Sequence, residues 1–284
     1  NSLVCQLAHR ILCGYVYDRA KYISTDKDSI MSKKLFSTLL IGLFVSTNSY
    51  AQWQPTGKLS WQIQFAGTLN TNVNAQVYDI DLFDTPQTTI QQLQNQGKKF
   101  ICYMSVGSSE NWRPDFNRFP SSVKGRNLSG WAGEKWLDIR RLDILIPIMS
   151  DRMALAKQKG CDAIDADNVD GYSNRTGFKL TYNDQLNYNR ALANEAHRLG
   201  LAIGLKNDLG QIVDLVNYFD FAINESCIIY NECSLVSPFI AQNKPVFHIE
   251  YQNDINTICA VGTSYGFSSM KKNTNLDEWR ESCL

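Results

Sequence analysis

The chain has 284 residues and 28 basic against 28 acidic side chains, so its formal net charge is zero. Six of the bases and three of the acids lie in residues 1–51, which leaves 22 against 25 over residues 52–284, a net charge of −3. That balance gives no electrostatic footprint for nucleic acid. The length from Gln52 onward suits one barrel-sized domain with a substantial core.

The first thirty residues open on Asn1 and contain no methionine; they precede Met31-Ser32-Lys33-Lys34, an apolar run from Leu35 to Val45, and Ser49-Tyr50-Ala51. Basic, apolar and small-residue parts in that order read as a secretory signal cleaved after Ala51. Its apolar core falls short of the roughly twenty residues that cross a bilayer as a stable helix. Residues 1–30 are therefore expected to be an upstream-translated or non-native extension, 31–51 a signal peptide, and 52–284 a secreted or periplasmic domain with no stable membrane span.

From Gln52, eight β-type runs alternate with polar helical stretches: Trp61 to Phe65, Gln76 to Leu82, Phe100 to Val106, Trp136 to Ile139, Ala163 to Asn168, Ala202 to Lys206, Phe221 to Asn224 and Val246 to Tyr251. Helix candidates between them include Thr88 to Gln96, Ile144 to Lys159, Asp184 to Leu199 and Gly210 to Asn217. Gly97, Gly160 and Gly200 stand where a left-handed helix stop belongs. Eight strands alternating with helices predict parallel pairing and a (β/α)8 TIM barrel in one domain. Ser108 to Lys135 lacks periodicity and reads as an insertion over one barrel end. Asn253 to Leu284 reads as a closing helical region.

Without Cys5 and Cys13, six cysteines remain, an even number in a chain bound for an oxidising compartment. Proximity in the sequence suggests joining Cys227 to Cys233 and Cys259 to Cys283, leaving Cys102 with Cys161. Zinc is the weaker alternative, since there is no CxxC and only His197 and His248 remain. No cofactor is expected.

A barrel carries its chemistry at the C-terminal strand ends, and here those ends are acidic: Asp79, Asp81, Asp138, Asp165, Asp167, Glu225 and Glu250, with Lys206 and Asn207 closing another strand. Alternation puts Asp79 with Asp81, and Asp165 with Asp167, on one face of their strands. Two paired carboxylates are what glycosidic bond cleavage needs, and Trp112, Trp131, Trp136, Tyr103 and Tyr172 are placed to stack on sugars. The bland alternative is an ion network of Asp165 and Asp167 with Arg140 and Lys206. Asp165-Ala166-Asp167-Asn168-Val169-Asp170-Gly171 does not fit a calcium loop, having Val at the fifth ligand position, its Gly one place late and Thr176 in place of the closing Glu. Gly262-Thr263-Ser264-Tyr265-Gly266 matches GxSxG by chance, with no strand before it and no histidine after it. His248, two residues before Glu250, is expected to face into the barrel.

The runs VYDIDLFDT (77–85), ICYMSVGSSENWRPD (101–115), WLDIR (136–140), GCDAIDADNVDGYSNRTGF (160–178), GLKND (204–208), FDFAINESC (219–227), NEC (231–233) and VFHIEY (246–251) closely resemble the glycoside hydrolase family 114 domain, the endo-α-1,4-polygalactosaminidases. That resemblance implies a barrel enzyme that hydrolyses α-1,4-linked galactosamine polymers with retention, with Asp167 as nucleophile and Glu225 as general acid/base. Asp79, Asp81, Asp138, Asp165, Tyr172, Lys206, Asn207 and Glu250 are the expected substrate-binding residues, and the partner a cationic amino-sugar polysaccharide met by a monomer. The competing expectation is a non-catalytic or differently specific polysaccharide-binding barrel.

Overall fold

Strands whose inner face meets a barrel interior and whose outer face meets helices are buried at every position. Val77–Asp81 and Ala202–Lys206 are of this kind. The computed structural model describes residues 52–284; the extension and the signal read from the sequence lie outside the described residues. In chain order the elements are β1 (Trp61–Gln64), β2 (Val77–Asp81), α1 (Gln87–Gln94), β3 (Lys99–Ser105), β4 (Ser108–Glu110), β5 (Lys124–Asn127), β6 (Glu134–Leu137), α2 (Leu142–Lys159) and β7 (Ala163–Asp167). They continue with α3 (Tyr182–Arg198), β8 (Ala202–Lys206), α4 (Ile212–Leu215), β9 (Phe221–Glu225), α5 (Ser237–Ala241), β10 (Val246–Glu250), α6 (Ile255–Tyr265), β11 (Ser268–Lys272) and β12 (Arg280–Ser282).

One sheet runs β1-β2-β3-β7-β8-β9-β10-β11-β12, parallel up to β11, with β12 antiparallel at its end. At the seam Arg280 donates to the Trp61 carbonyl, and Gln62 Nε2 donates to the Glu278 carbonyl at 3.1 Å. The architecture is the expected (β/α)8 barrel, with two corrections. The fourth expected strand, around Trp136, is not in the barrel: β6 pairs antiparallel with β4 and β5 in a separate three-stranded sheet. The eighth barrel strand is instead β11, inside the region expected to be only helical.

The helices stop where their chemistry dictates. Thr181 and Asp184 form a reciprocal capping box at the start of α3, and Gly160 ends α2 at φ 102°. The helix expected over Gly210 to Asn217 shrinks to the four residues of α4. Gly262 to Gly266 forms the end and left-handed cap of α6, so the GxSxG match carries no nucleophile elbow.

Two apolar layers form the core. The inner one gathers Trp61, Ile63, Val77, Ile101, Phe221, Ile223, Phe247, Ile249 and Met270; the outer one lies between strands and helices. Strand alternation then fixes which polar side chains face inward. Asp79 and Asp81 follow Val77, Asp165 and Asp167 follow Ala163, and Glu225 follows Ile223, all on the inner face. His248 and Glu250 have the opposite parity to Phe247 and Ile249, so they face outward, correcting the expectation for both. The three disulfides are Cys102–Cys161, Cys227–Cys233 and Cys259–Cys283, the expected pairing, with Cα separations of 6.0, 4.8 and 5.2 Å. Cys227 and Cys233 lie beside His248, but, bonded to each other, they offer no thiolate to zinc.

Candidate active site

Three barrel strands end in the same way. Asp167 is followed by Asn168 at φ 61°, Lys206 by Asn207 at φ 52°, and Glu225 by Ser226 at φ 65°. A left-handed turn in a residue other than glycine is costly and persists only where surrounding contacts impose it. The Asn168 turn is held from outside: the N–H groups of Val106 and Gly107 donate to the Asp167 carbonyl at 3.0 and 3.2 Å. Gly107 is required there, because a Cβ would come within 1.7 Å of the Asn168 carbonyl oxygen.

Asp167, Lys206 and Glu225 line a cavity of about 830 Å³ over the barrel's C-terminal end. The Lys206 ammonium stands 3.6 Å from Asp167 Oδ1, 3.5 Å from Glu225 Oε2 and 3.8 Å from Asp165 Oδ2. The Asp167 and Glu225 oxygens are therefore no farther apart than the sum of their two distances to that nitrogen, 7.1 Å. Tyr103 Oη and Asn168 Nδ2 each donate to Asp167 Oδ2 at 3.2 Å. Glu225 accepts from Tyr251 Oη and, at 3.4 Å, from Asn207 Nδ2.

These surroundings divide the carboxyl groups by charge. Burial raises the Glu225 pKa, but the Lys206 ammonium and the hydrogen bonds from Tyr251 and Asn207 outweigh it and hold the group below its ordinary value. Asp165 is fully buried, and burial with the nearby Asp167 pushes it up to about 7 against the pull of Lys206. Asp79, deeper in the barrel, is raised well above the carboxylate range by burial and by Asp165. Neither oxygen of Asp79 or of Asp165 has a hydrogen-bond partner among the described residues.

The other expected site residues are spread more widely. Asp81 lines the cavity, yet its oxygens are occupied: Arg113 binds them at 3.0 and 2.6 Å, and the N–H groups of Phe83 and Asp84 donate to Oδ1. Asp138 follows β6, outside the barrel sheet and the cavity lining, and pairs with Arg140 through two bonds of 2.7 and 2.8 Å. Tyr172 packs edge-on against Tyr182 away from the cavity lining. Glu250 holds His248 Nε2 at 3.0 Å and the Ile228 N–H at 2.8 Å on the outer side of β10. Trp112, Trp131, Trp136 and Tyr103 do line the cavity, with Trp112 and Trp131 solvent-exposed at its mouth.

Sequence reading missed Glu110 and Glu134, which line the cavity from the antiparallel sheet, opposite one another in the β4–β6 register. It also missed Phe65 and Tyr251. Glu110 is bound by Arg113 at 2.9 Å through both oxygens. The two glutamates follow the alternation of β4 and β6, but three- and four-residue strands are too short for that period to stand out.

Paired carboxylates on a barrel rim, an aromatic-lined cavity and a parallel (β/α)8 frame define a glycoside hydrolase. The model of glycoside-hydrolase family GH114 matches residues 44–284, and the chain belongs to that family. Among solved structures it is similar to Aspergillus fumigatus Ega3 in complex with galactosamine, at 44% identity and a TM-score of 0.77 over 82% of this chain and 98% of that one. The glycoside hydrolase domain of PelA from Pseudomonas aeruginosa matches at 15% identity and TM-score 0.62, over 78% of this chain and 98% of that one. Amy13B from Eubacterium rectale shares the fold at 8% identity and TM-score 0.51, over 80% of this chain and 69% of that one. No curated protein sequence matches. No helix of the described residues is long and apolar enough to cross a membrane.

Proposed function

We propose that the protein hydrolyses α-1,4-linked galactosamine polymers internally and with retention, Asp167 acting as nucleophile and Glu225 as general acid/base. The observation that carries this reading is the placement of the two carboxylates on one cavity around the shared Lys206 ammonium. Their separation of at most 7.1 Å covers the roughly 5 Å of retaining enzymes and most of it lies below the roughly 6.5–9.5 Å of inverting ones. Asp167 is fixed by Tyr103 and Asn168 as a nucleophile must be, and Tyr251 orients Glu225. In the first step Asp167 attacks the anomeric carbon while Glu225 gives its proton to the leaving oxygen; in the second, Glu225 takes a proton from the water that releases the sugar.

The substrate class is supported by the 44% identity to a protein solved with galactosamine and by a cavity lined by seven carboxyl groups against three cations. An amino sugar bears an ammonium near neutral pH, which such a lining attracts. Three disulfides support export to an oxidising compartment, secreted or periplasmic. The test is to incubate the protein and its Asp167→Asn form with de-N-acetylated α-1,4-galactosamine oligomers and weigh the products by mass spectrometry. Shortened oligomers from the unsubstituted protein alone are expected; none from either overturns the reading.

A further inference from the structure

Of the carboxylates expected to bind substrate, the four on barrel strands are not free to take a cationic sugar. Asp79 and Asp165 are fully buried beneath the cavity floor. Asp81 is bound by Arg113, and Glu250 faces away from the barrel interior. Glu134 differs from all of them. It is 3% exposed, lines the cavity, and has no ion-pair partner among the described residues. Ser108 and Asn168 both donate to its Oε1, leaving Oε2 for the cavity.

We propose that Glu134 is the residue that selects the free amine of the substrate, its Oε2 binding the ammonium on the sugar whose anomeric carbon Asp167 attacks. This rests on the galactosamine reading above. The reach fits: Asn168 Nδ2 is 3.3 Å from Glu134 Oε1 and 3.2 Å from Asp167 Oδ2, so those oxygens are at most 6.5 Å apart, the sum of the two, and Glu134 Oε2, roughly 2.2 Å from Oε1 across its own carboxylate, is at most roughly 8.7 Å from Asp167 Oδ2. A nucleophile approaches at roughly 3 Å, the amine lies roughly 2.5 Å from the anomeric carbon across two single bonds, and a charge-assisted bond adds roughly 2.8 Å. One amino sugar thus spans both carboxylates.

Burial pushes Glu134 up to about 7, with Glu110 and Asp167 adding to it against the Ser108 hydrogen bond. A buried carboxyl without a countercharge holds its proton, and an arriving ammonium displaces it. Binding of the free-amine oligomer below pH 7 therefore releases a proton at Glu134.

The test measures binding of de-N-acetylated and N-acetylated α-1,4-galactosamine oligomers by calorimetry at pH 6.5, in two buffers of different ionisation enthalpy, with Glu134 intact and as Glu134→Gln, both in a Glu225→Gln background that lacks the proton donor and leaves the oligomers uncut. Glutamine keeps the acceptor for Ser108 and Asn168, and a melting curve confirms that the variant folds. Glu134→Asp, which keeps the charge, is the second variant. Glu134→Gln is expected to weaken the free-amine oligomer about tenfold, the equivalent of about 1.4 kcal/mol, to leave the N-acetylated one within about twofold, and to abolish the proton release; Glu134→Asp is expected to restore that release. Equal losses on both oligomers, or proton release unchanged in Glu134→Gln, overturn the assignment of Glu134 alone. If the Glu225→Gln protein with Glu134 intact does not bind the free-amine oligomer, the galactosamine reading falls and this inference with it.

Discussion

Asp167 and Glu225, on strands β7 and β9, hold the same ammonium, that of Lys206, at 3.6 and 3.5 Å. One buried cation thus offsets the mutual repulsion that would otherwise keep one of the two carboxylates protonated. Lys206 rises from β8, the strand between theirs, so sheet order alone places it in the middle.

Replacing Lys206 by methionine removes the main force lowering the Glu225 pKa. A general acid with a depressed pKa loses its proton early, so the alkaline limb of kcat/KM should lie on the acid side of neutrality in the unsubstituted protein. In Lys206→Met that limb should move to higher pH while the maximal rate falls by roughly 10²-fold. A pH–rate profile checks both, and an unmoved limb would deny Lys206 this influence.

The buried Asp165 ties stability to pH. Its folded pKa, pushed up to about 7, exceeds the ordinary 3.8, so the native state binds the proton more tightly than the unfolded chain does. The stabilisation is fully present below about pH 4 and is lost as pH rises through about 7. Asp165→Asn should flatten the decline in melting temperature between pH 4 and 7, and Asp79→Asn should act in the same direction. Melting curves across that range measure it; a slope unchanged in both variants would contradict it.

Arg113 is buried between Asp81 and Glu110, with bonds to both. Its loss strands two carboxylates away from water, so Arg113→Ala should cost about 3–5 kcal/mol in urea unfolding. Asp81→Asn should cost less and should not change the preference for free amines, since the Asp81 charge is already matched by Arg113.

Cys102–Cys161 closes the longest loop of the three disulfides, with a sequence separation of 59. The double alanine variant should lose about 4 kcal/mol if the denatured chain gains the loop's full entropy. Chemical unfolding of the oxidised protein and the variant makes the comparison.

Much of this was legible from Gln52 onward because parallel barrel strands write their burial into the sequence. Val77 to Asp81, Ala163 to Asp167 and Phe221 to Glu225 are short runs with three apolar residues in five, each closed by an acid. Trp136-Leu137 has the same local look, but its partners in the antiparallel sheet lie in Ser108 to Asn127, which shows no period. Ser268-Ser269-Met270-Lys271-Lys272 hides a strand because two serines and Lys272 occupy positions that bury only in the assembled barrel, where the Lys272 ammonium reaches the Asp277 carbonyl at 2.6 Å. The acidic strand ends pointed to the site, yet only alternation counted from Phe247 and Ile249 shows that Glu250 faces outward. The Arg113 contacts that occupy Asp81 join residues too far apart in the chain to be read from local pattern.

The most direct measurement is the anomeric form of the first product, followed by proton NMR as the protein begins to cleave a de-N-acetylated α-1,4-galactosamine oligomer. Attack by Asp167 followed by water on the opposite face of the glycosyl-enzyme requires the new reducing end to appear first as the α-anomer, with Asp167→Asn producing none. A first product that is β would contradict both retention and the assignment of Asp167 as nucleophile.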